Sequence, residues 1–205
     1  MTTQQLLLTL GMMAVGYLAG SIPFSFIVAR ARGVDLRTVG SGNVGGSNVW
    51  RNVGFGPFVL AAGGDLLKGT LPTLAAMQLG LPPLAVVLTG VGAILGHTFP
   101  VWLGFKGGKA VATSGGVILA LSPLLLLIAF LTWAVVFAIA RMSSVASLTA
   151  SLVVAISATI FYLRGTFDLT YTLFVWLAIA AIFYLHRENI KRILAGKESR
   201  FQKLF

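Results

Sequence analysis

The chain has 205 residues, of which 57% are of hydrophobic type and 10% are charged, with a mean hydropathy of +0.93. A water-soluble globule of this composition would expose far too much apolar surface, so a lipid bilayer is the expected solvent. The net charge of +10 does not indicate nucleic acid, because the basic residues fall between apolar runs and in the C-terminal tail rather than along one solvated face. The absence of cysteine excludes a disulfide, a thiolate nucleophile, a thiolate metal site and a thioester enzyme intermediate.

At about 20 apolar residues per crossing, the length allows roughly six to eight spans and no separate soluble domain, so residues 1–205 are expected to form a single transmembrane domain. Met1 to Gln5 carries no basic side chain ahead of the first apolar run, which is therefore expected to remain as a helix rather than act as a cleaved signal. Apolar runs follow at 6–29, 55–79, 83–103, 110–140, 145–163 and 170–185. The fourth, at 31 residues, is too long for one span and short for two, and Ser122-Pro123 offers a break inside it. Splitting it there gives seven transmembrane helices, with the N-terminus outside and the C-terminus cytoplasmic. Segments 31–52, 104–110, 141–145 and the tail then share the cytoplasmic side with Arg30, Arg32, Arg37, Arg51, Lys106, Lys109, Arg141 and the tail cations up to Lys203, and only Arg164 lies outside. A helix over about 110–121 would span only roughly 18 Å. Its glycine-rich start is thus expected below the membrane surface, facing a polar pocket open to the cytoplasm.

Three polar segments carry chemistry on that side. In GSGNVGGSNVWR at 40–51, glycines alternate with Ser41, Asn43, Ser47 and Asn48 before Arg51. Such a loop can turn backbone N–H groups toward an anion, or it can be a flexible turn. In GHTFPVWLGFKGGKAVAT at 96–113, Lys106-Gly107-Gly108-Lys109 leads into a helix, an arrangement suited to phosphate, with anchoring of anionic lipid by both lysines as the lesser alternative. It is not a Walker A loop, since Ala110 follows Lys109 and no hydroxyl stands ready for magnesium. In HRENIKRILAGKE at 186–198, His186 and Asn189 share a helix face, and Ile190, Ile193 and Leu194 fit an amphipathic helix at the interface. Taken alone, that pattern is a basic membrane-surface tail.

Within the spans, Asp65 and Lys68 stand one helical turn apart and could pair. Ser147, near the start of the sixth span, could cap that helix or donate into the pocket. His97 and His186 are the only histidines and neither neighbours a recognisable carboxylate cluster, so no metal is expected. Five acidic residues also favour a reaction that needs little acid–base help.

These three segments, in this order and between these spans, resemble the acyl-phosphate-dependent glycerol-3-phosphate acyltransferases of bacterial membranes. The resemblance covers nearly the whole chain. It implies transfer of a fatty acyl group from acyl phosphate to the sn-1 hydroxyl of glycerol 3-phosphate, giving lysophosphatidic acid and phosphate at the start of phospholipid synthesis. By the same resemblance Ser41, Asn43 and Arg51 belong to the first motif, Lys109 to the second, Ser147 to the start of the sixth helix, and His186 and Asn189 to the third. Arg51 and Lys109 are expected on substrate phosphate, with Ser41, Asn43, Ser147, His186 and Asn189 orienting the glycerol hydroxyls and the acyl-phosphate head. Asn48, His97, Lys106, Gly107 and Gly108 complete the expected phosphate-binding set. The implied setting is a multi-pass protein of the bacterial inner membrane, monomeric, surrounded by lipid, with no cofactor and no nucleic-acid partner. The chain departs from the family pattern at Gly45-Gly46-Ser47-Asn48, where Gly-Ala-Thr-Asn is usual, and at Gly107-Gly108-Lys109-Ala110, where Gly-Gly-Lys-Gly is usual. Ala110 puts a positive φ at that position in doubt. An organic-phosphate transporter and a CDP-alcohol phosphotransferase are the rival readings. The first would be favoured by inverted repeats, which the two halves do not display, and the second by a metal-binding carboxylate cluster that five scattered acids do not supply.

Overall fold

A computed structural model of the chain describes residues 2–202, so Lys203 lies outside the described residues. Among these the regular structure is entirely helical, and it divides into two compact units between Leu121 and Ser122.

The first unit holds α1 (Thr3–Ser21), α2 (Phe24–Arg30), α3 (Gly46–Asn52), α4 (Phe55–Gln78), α5 (Pro83–Thr98) and α6 (Val111–Leu121). Helix α1 opens on a capping box between Thr2 and Gln5 and stops before Ile22-Pro23, where proline cannot donate the next backbone hydrogen bond. The first apolar run is therefore a broken helix. Small residues decide how the long helices meet. A Cβ on Gly20 would lie 2.2 Å from the Ala93 carbonyl oxygen, and one on Gly96 would lie 2.2 Å from that of Tyr17, so α1 and α5 approach backbone to backbone. Helices α4 and α6 meet in the same way at Gly69, and Thr70 Oγ1 adds a hydrogen bond of 2.9 Å to the Gly116 carbonyl.

The segment between α2 and α4 folds on its own small core. Leu36, Val44 and Val49 are buried with Ala29 of α2 and Ala61 of α4, and Phe26, Val39 and Phe58 pack around them. Burying a side chain such as Leu36 contributes about 1.5–3 kcal/mol, enough to hold an otherwise polar, glycine-rich stretch in one conformation. Helix α3, seven residues long, sits in what the sequence offers as a loop. Two turns are too few to show a hydrophobic period.

The second unit holds α7 (Pro123–Ala140), α8 (Ser143–Leu163), α9 (Leu169–Leu185) and α10 (Arg187–Leu194). The expected break is present at Ser122-Pro123: the Ser122 side chain accepts from the Leu125 amide at 3.3 Å and Pro123 opens α7, the usual division of labour at a helix start. Within α7 only Leu125 and Phe137 are buried, leaving apolar side chains around most of the helix, as a lipid-facing span requires. Helix α10 turns 61° away from α9, and its pattern is amphipathic as expected. Ser147 is not a cap, because α8 begins at Ser143 and Ser147 lies in its second turn.

By length and composition four stretches can cross a membrane: Thr3–Arg30, Pro83–Leu103, Pro123–Ala140 and Ser143–Leu163. The bent pair α9–α10 makes a fifth, and α6, with 11 residues, is apolar but short.

Candidate active site

In the first unit the residues of the first motif are organised by Asn48. Its side-chain amide nitrogen reaches the carbonyls of Leu36 (3.0 Å), Val39 (3.1 Å) and Asn43 (3.0 Å), and its Oδ1 accepts from the Ser41 amide (3.3 Å) and Asn52 Nδ2 (2.8 Å). Asn48 is thus the internal brace of the loop that presents Ser41 and Asn43. Gly40 (φ +56°) and Gly42 (φ +69°) supply left-handed turns. A Cβ at Gly40 would stand 2.4 Å from Asn48 Oδ1, so the turn and its brace require glycine there. Ser41 lies exposed on the loop and its Oγ accepts weakly from the Asn43 amide at 3.4 Å, while Arg51 extends from the last turn of α3 with an exposed side chain. The adjacent Asp35 takes a bidentate grip on Arg37, at 3.0 and 2.7 Å, and the guanidinium holds its carboxyl at about 2, well below the usual range.

The second motif is stitched to the end of α5. Gly107 N–H donates to the Thr98 carbonyl (3.0 Å) and Gly108 N–H to the His97 carbonyl (3.1 Å), which places Lys109 immediately ahead of α6. Lys106 is exposed on the preceding turn and Lys109 half-buried. Ala110 adopts φ +55° despite its Cβ, as do Phe105 (+62°) and Arg141 (+55°). The glycine-like backbone of the motif is therefore retained without glycine. A Cβ on Gly108 would fall 2.2 Å from His97 Nε2, so the loop lies directly on the imidazole.

The fold brings His97 to a single carboxylate that its place in the sequence does not suggest: its Nδ1 is 3.6 Å from Asp65 Oδ1. The expected pair is formed as well, Lys68 Nζ lying 2.8 Å from the same oxygen. Ser25 Oγ donates to Asp65 Oδ2 (2.8 Å), and Lys68 Nζ donates to the Ile22 carbonyl (2.8 Å) that the α1–α2 break leaves available. A cavity of about 10 Å³, bordered by Ser21, Asp65, Lys68, His97, Gly107 and Gly108, lies against this cluster. Spacing in sequence gave no signal that His97 belongs to it.

In the second unit the residues of the third motif meet those of α8 through a residue that motif reading passes over, Glu198. Its Oε1 accepts from Ser144 Oγ (2.6 Å) and Asn189 Nδ2 (2.6 Å), and its Oε2 from Arg192 Nε (2.8 Å). Burial alone would raise the Glu198 carboxyl, but these three hydrogen bonds hold it below the usual glutamate range. The tail continues back along α7 and α8: Phe201 N–H donates to the Arg141 carbonyl (2.8 Å), and the Phe201 ring meets Phe137 edge-on at 5.2 Å. A single acidic residue four positions after a basic helix reads as surface charge, and only the fold reveals the hub.

His186 is buried at the α9–α10 bend with Nδ1 2.8 Å from the Ile182 carbonyl. That contact places the Nδ1 proton on the carbonyl and makes Nε2 the basic nitrogen of the neutral ring. Ser147 is buried and accepts from Trp133 Nε1 at 3.2 Å. A groove of about 360 Å³ runs beside α10, lined by Val145, Leu148, Phe183, Ile190, Ile193 and Leu194. No three His, Asp or Glu side chains cluster as metal ligands among the described residues.

The glycerol-3-phosphate acyltransferase family profile matches residues 10–196. The glycerol-3-phosphate acyltransferase of Roseiflexus sp. is 57% identical over 96% of this chain and 97% of its own, and that of Aquifex aeolicus is 46% identical over 90% and 95%. Crystal structures of PlsY, an integral membrane glycerol 3-phosphate acyltransferase, superpose in its glycerol 3-phosphate form with a TM-score of 0.88 at 42% identity, and in its lysophosphatidic acid form with 0.86 at 40%, each over 96% of both chains. With apolar helices, all three motif segments and a match along nearly its full length, this chain belongs to the glycerol-3-phosphate acyltransferase family.

Proposed function

We propose that this membrane acyltransferase moves a fatty acyl group from acyl phosphate to the sn-1 hydroxyl of glycerol 3-phosphate, releasing lysophosphatidic acid and inorganic phosphate. The observation that carries the reading is the Gly107-Gly108-Lys109 loop, which is pinned to α5 by two backbone hydrogen bonds and delivers a lysine to the start of α6. A cation beside free helical N–H groups favours a phosphate dianion. In this reading Lys109 and Arg51 neutralise substrate phosphate, Ser41, Asn43, Ser147, His186 and Asn189 orient the reacting groups, and Asn48, His97, Lys106, Gly107 and Gly108 shape the phosphate-binding loops. The whole chain acts as one seven-span domain of the bacterial inner membrane, monomeric, with its N-terminus outside and its pocket open to the cytoplasm.

Acyl phosphate is a mixed anhydride with a good leaving group. Positioning and cationic stabilisation of the developing phosphate charge can supply most of the catalysis. The C1 hydroxyl oxygen bonds to the acyl carbon, the bond from that carbon to the phosphate oxygen breaks, and the departing phosphate takes the hydroxyl proton. No acyl-enzyme forms. The alternative base is His186 Nε2, and His186→Gln tests it: turnover within threefold of the wild type excludes an essential imidazole base.

The decisive experiment supplies detergent-purified protein with palmitoyl phosphate and glycerol 3-phosphate. Equimolar lysophosphatidate and phosphate, reduced at least 100-fold in Lys109→Ala, are expected. Binding of glycerol 3-phosphate without acyl transfer would instead indicate a transporter.

A further inference from the structure

We infer that Asp65 and Lys68 are positioning residues for the Gly107-Gly108-Lys109 loop, acting through His97; the inference rests on the placement of Lys109 at substrate phosphate.

Two opposite charges inside apolar helices are costly, and a role confined to holding helices together is met more cheaply by the glycine contacts already present between α1 and α5 and between α4 and α6. The pair is nonetheless almost wholly buried, with Asp65 2% and Lys68 4% exposed. Besides the bond between its own members, the pair makes three contacts, each to a separate part of the fold. Lys68 takes the Ile22 carbonyl at the α1–α2 break, Ser25 of α2 donates to Asp65 Oδ2, and both Lys68 Nζ and His97 Nδ1 face Asp65 Oδ1. Of these groups, His97 lies directly against the motif loop. One edge of its ring faces Asp65 and the other, Nε2, stands where a side chain on Gly108 would be.

His97 Nδ1 and Asp65 Oδ1 are both buried and make no hydrogen bond of good geometry among the described residues, so the charge pair orients the ring by field and proximity. The ring in turn sets the height of the Gly107-Gly108 backbone, one residue before Lys109. A shift of about 1 Å in a group that must meet a transferring phosphate can cost on the order of 100-fold in rate. His97 therefore serves Lys109 from beneath the loop.

The test is a double-mutant cycle on the full-length protein in detergent, reading kcat and KM for glycerol 3-phosphate together with Tm. Asp65→Asn/Lys68→Met removes both charges at once and leaves no uncompensated charge, at the loss of the Lys68 hydrogen bond to the Ile22 carbonyl. It is expected to lower kcat/KM at least 10-fold while changing Tm by only a few degrees. His97→Ala is expected to act similarly, and His97→Gln, which returns a nitrogen near the Nε2 position beneath Gly108, to recover part of the loss. In the His97→Ala background the pair replacement should cost no more than threefold further, because its route to the loop is already cut. Multiplication of the two effects, or wild-type kinetics in the pair variant, overturns the inference. Should the pair variant fail to fold, Asp65→Asn/Lys68→Gln, which removes both charges but keeps polar groups at both positions, carries the same cycle, and wild-type kinetics in it would overturn the inference equally. Lys109→Ala in parallel keeps the two claims apart: full turnover there removes the phosphate reading of Lys109, whatever the cycle reports about Asp65 and His97.

Discussion

Two carboxylates organise the two units in opposite ways. Asp65 is buried within α4 and is paired by a lysine one turn along the same helix, while Glu198 sits in the tail and is held by neutral and cationic donors from α8 and α10. The first pairing is available as soon as the helix forms. The second exists only when the chain after α10 has folded back. A charge buried among apolar helices is thus compensated locally, and a charge that fastens the C-terminal tail can draw on distant partners.

The sharpest way to break the comparison is Lys68→Ala, which leaves Asp65 as an uncompensated buried charge and is expected to destabilise by about 3–5 kcal/mol, a fall in Tm on the order of 10 °C by differential scanning fluorimetry in detergent. Glu198→Gln should cost less, about 1–3 kcal/mol. Its loss should be concentrated in the tail, visible as faster proteolysis after α10 while the helical core stays protected. If the tail remains as resistant as in the wild type, Glu198 is not the closing hub.

Acidification sharpens the same contrast. The folded carboxyl of Glu198 titrates below its unfolded value, so its contribution is fully present above the unfolded glutamate pKa, about 4.3, and is lost as pH falls through the lower folded value. Tail protection measured by hydrogen exchange is expected to hold from neutral pH down to that region and then fall, an effect that Glu198→Gln abolishes.

The smallest expected change is a gain. Ala110 bears a left-handed backbone that glycine adopts without strain, and Ala110→Gly should stabilise by about 1 kcal/mol. An unchanged or lower Tm would mean that the loop is already relaxed around the methyl group.

The helical, bilayer-embedded character of this chain was legible because hydropathy runs and proline breaks are local properties. The Ser122-Pro123 break follows from one residue pair, the Asp65–Lys68 pair from a spacing of three, and the amphipathic α10 from its own period. The candidate site residues came from the same local reading: Ser41, Asn43, Arg51, Lys109, His186 and Asn189 stand in three recognisable segments, and Ser147 near the start of the sixth apolar run. Their local environments were not legible. Asn48 looked like one more polar residue of a glycine-rich loop and is its brace, because the carbonyls of Leu36, Val39 and Asn43 curl round to converge on its one amide. Helix α3 was hidden because its two turns gain stability from Leu36, Val44 and Ala61 rather than from any period of their own.

What the sequence by itself determined is where the chain is apolar, where helices must stop and which residue types are available for phosphate chemistry, all set by side-chain transfer energies and backbone sterics within a few residues. What only the tertiary structure decided is that His97 lies between Asp65 and Gly108, that Glu198 gathers Ser144, Asn189 and Arg192, and that Ala110 takes a left-handed turn. Each depends on how helices or segments distant in the chain pack, and packing at glycine-lined crossings is a property of surfaces that no single stretch of sequence contains.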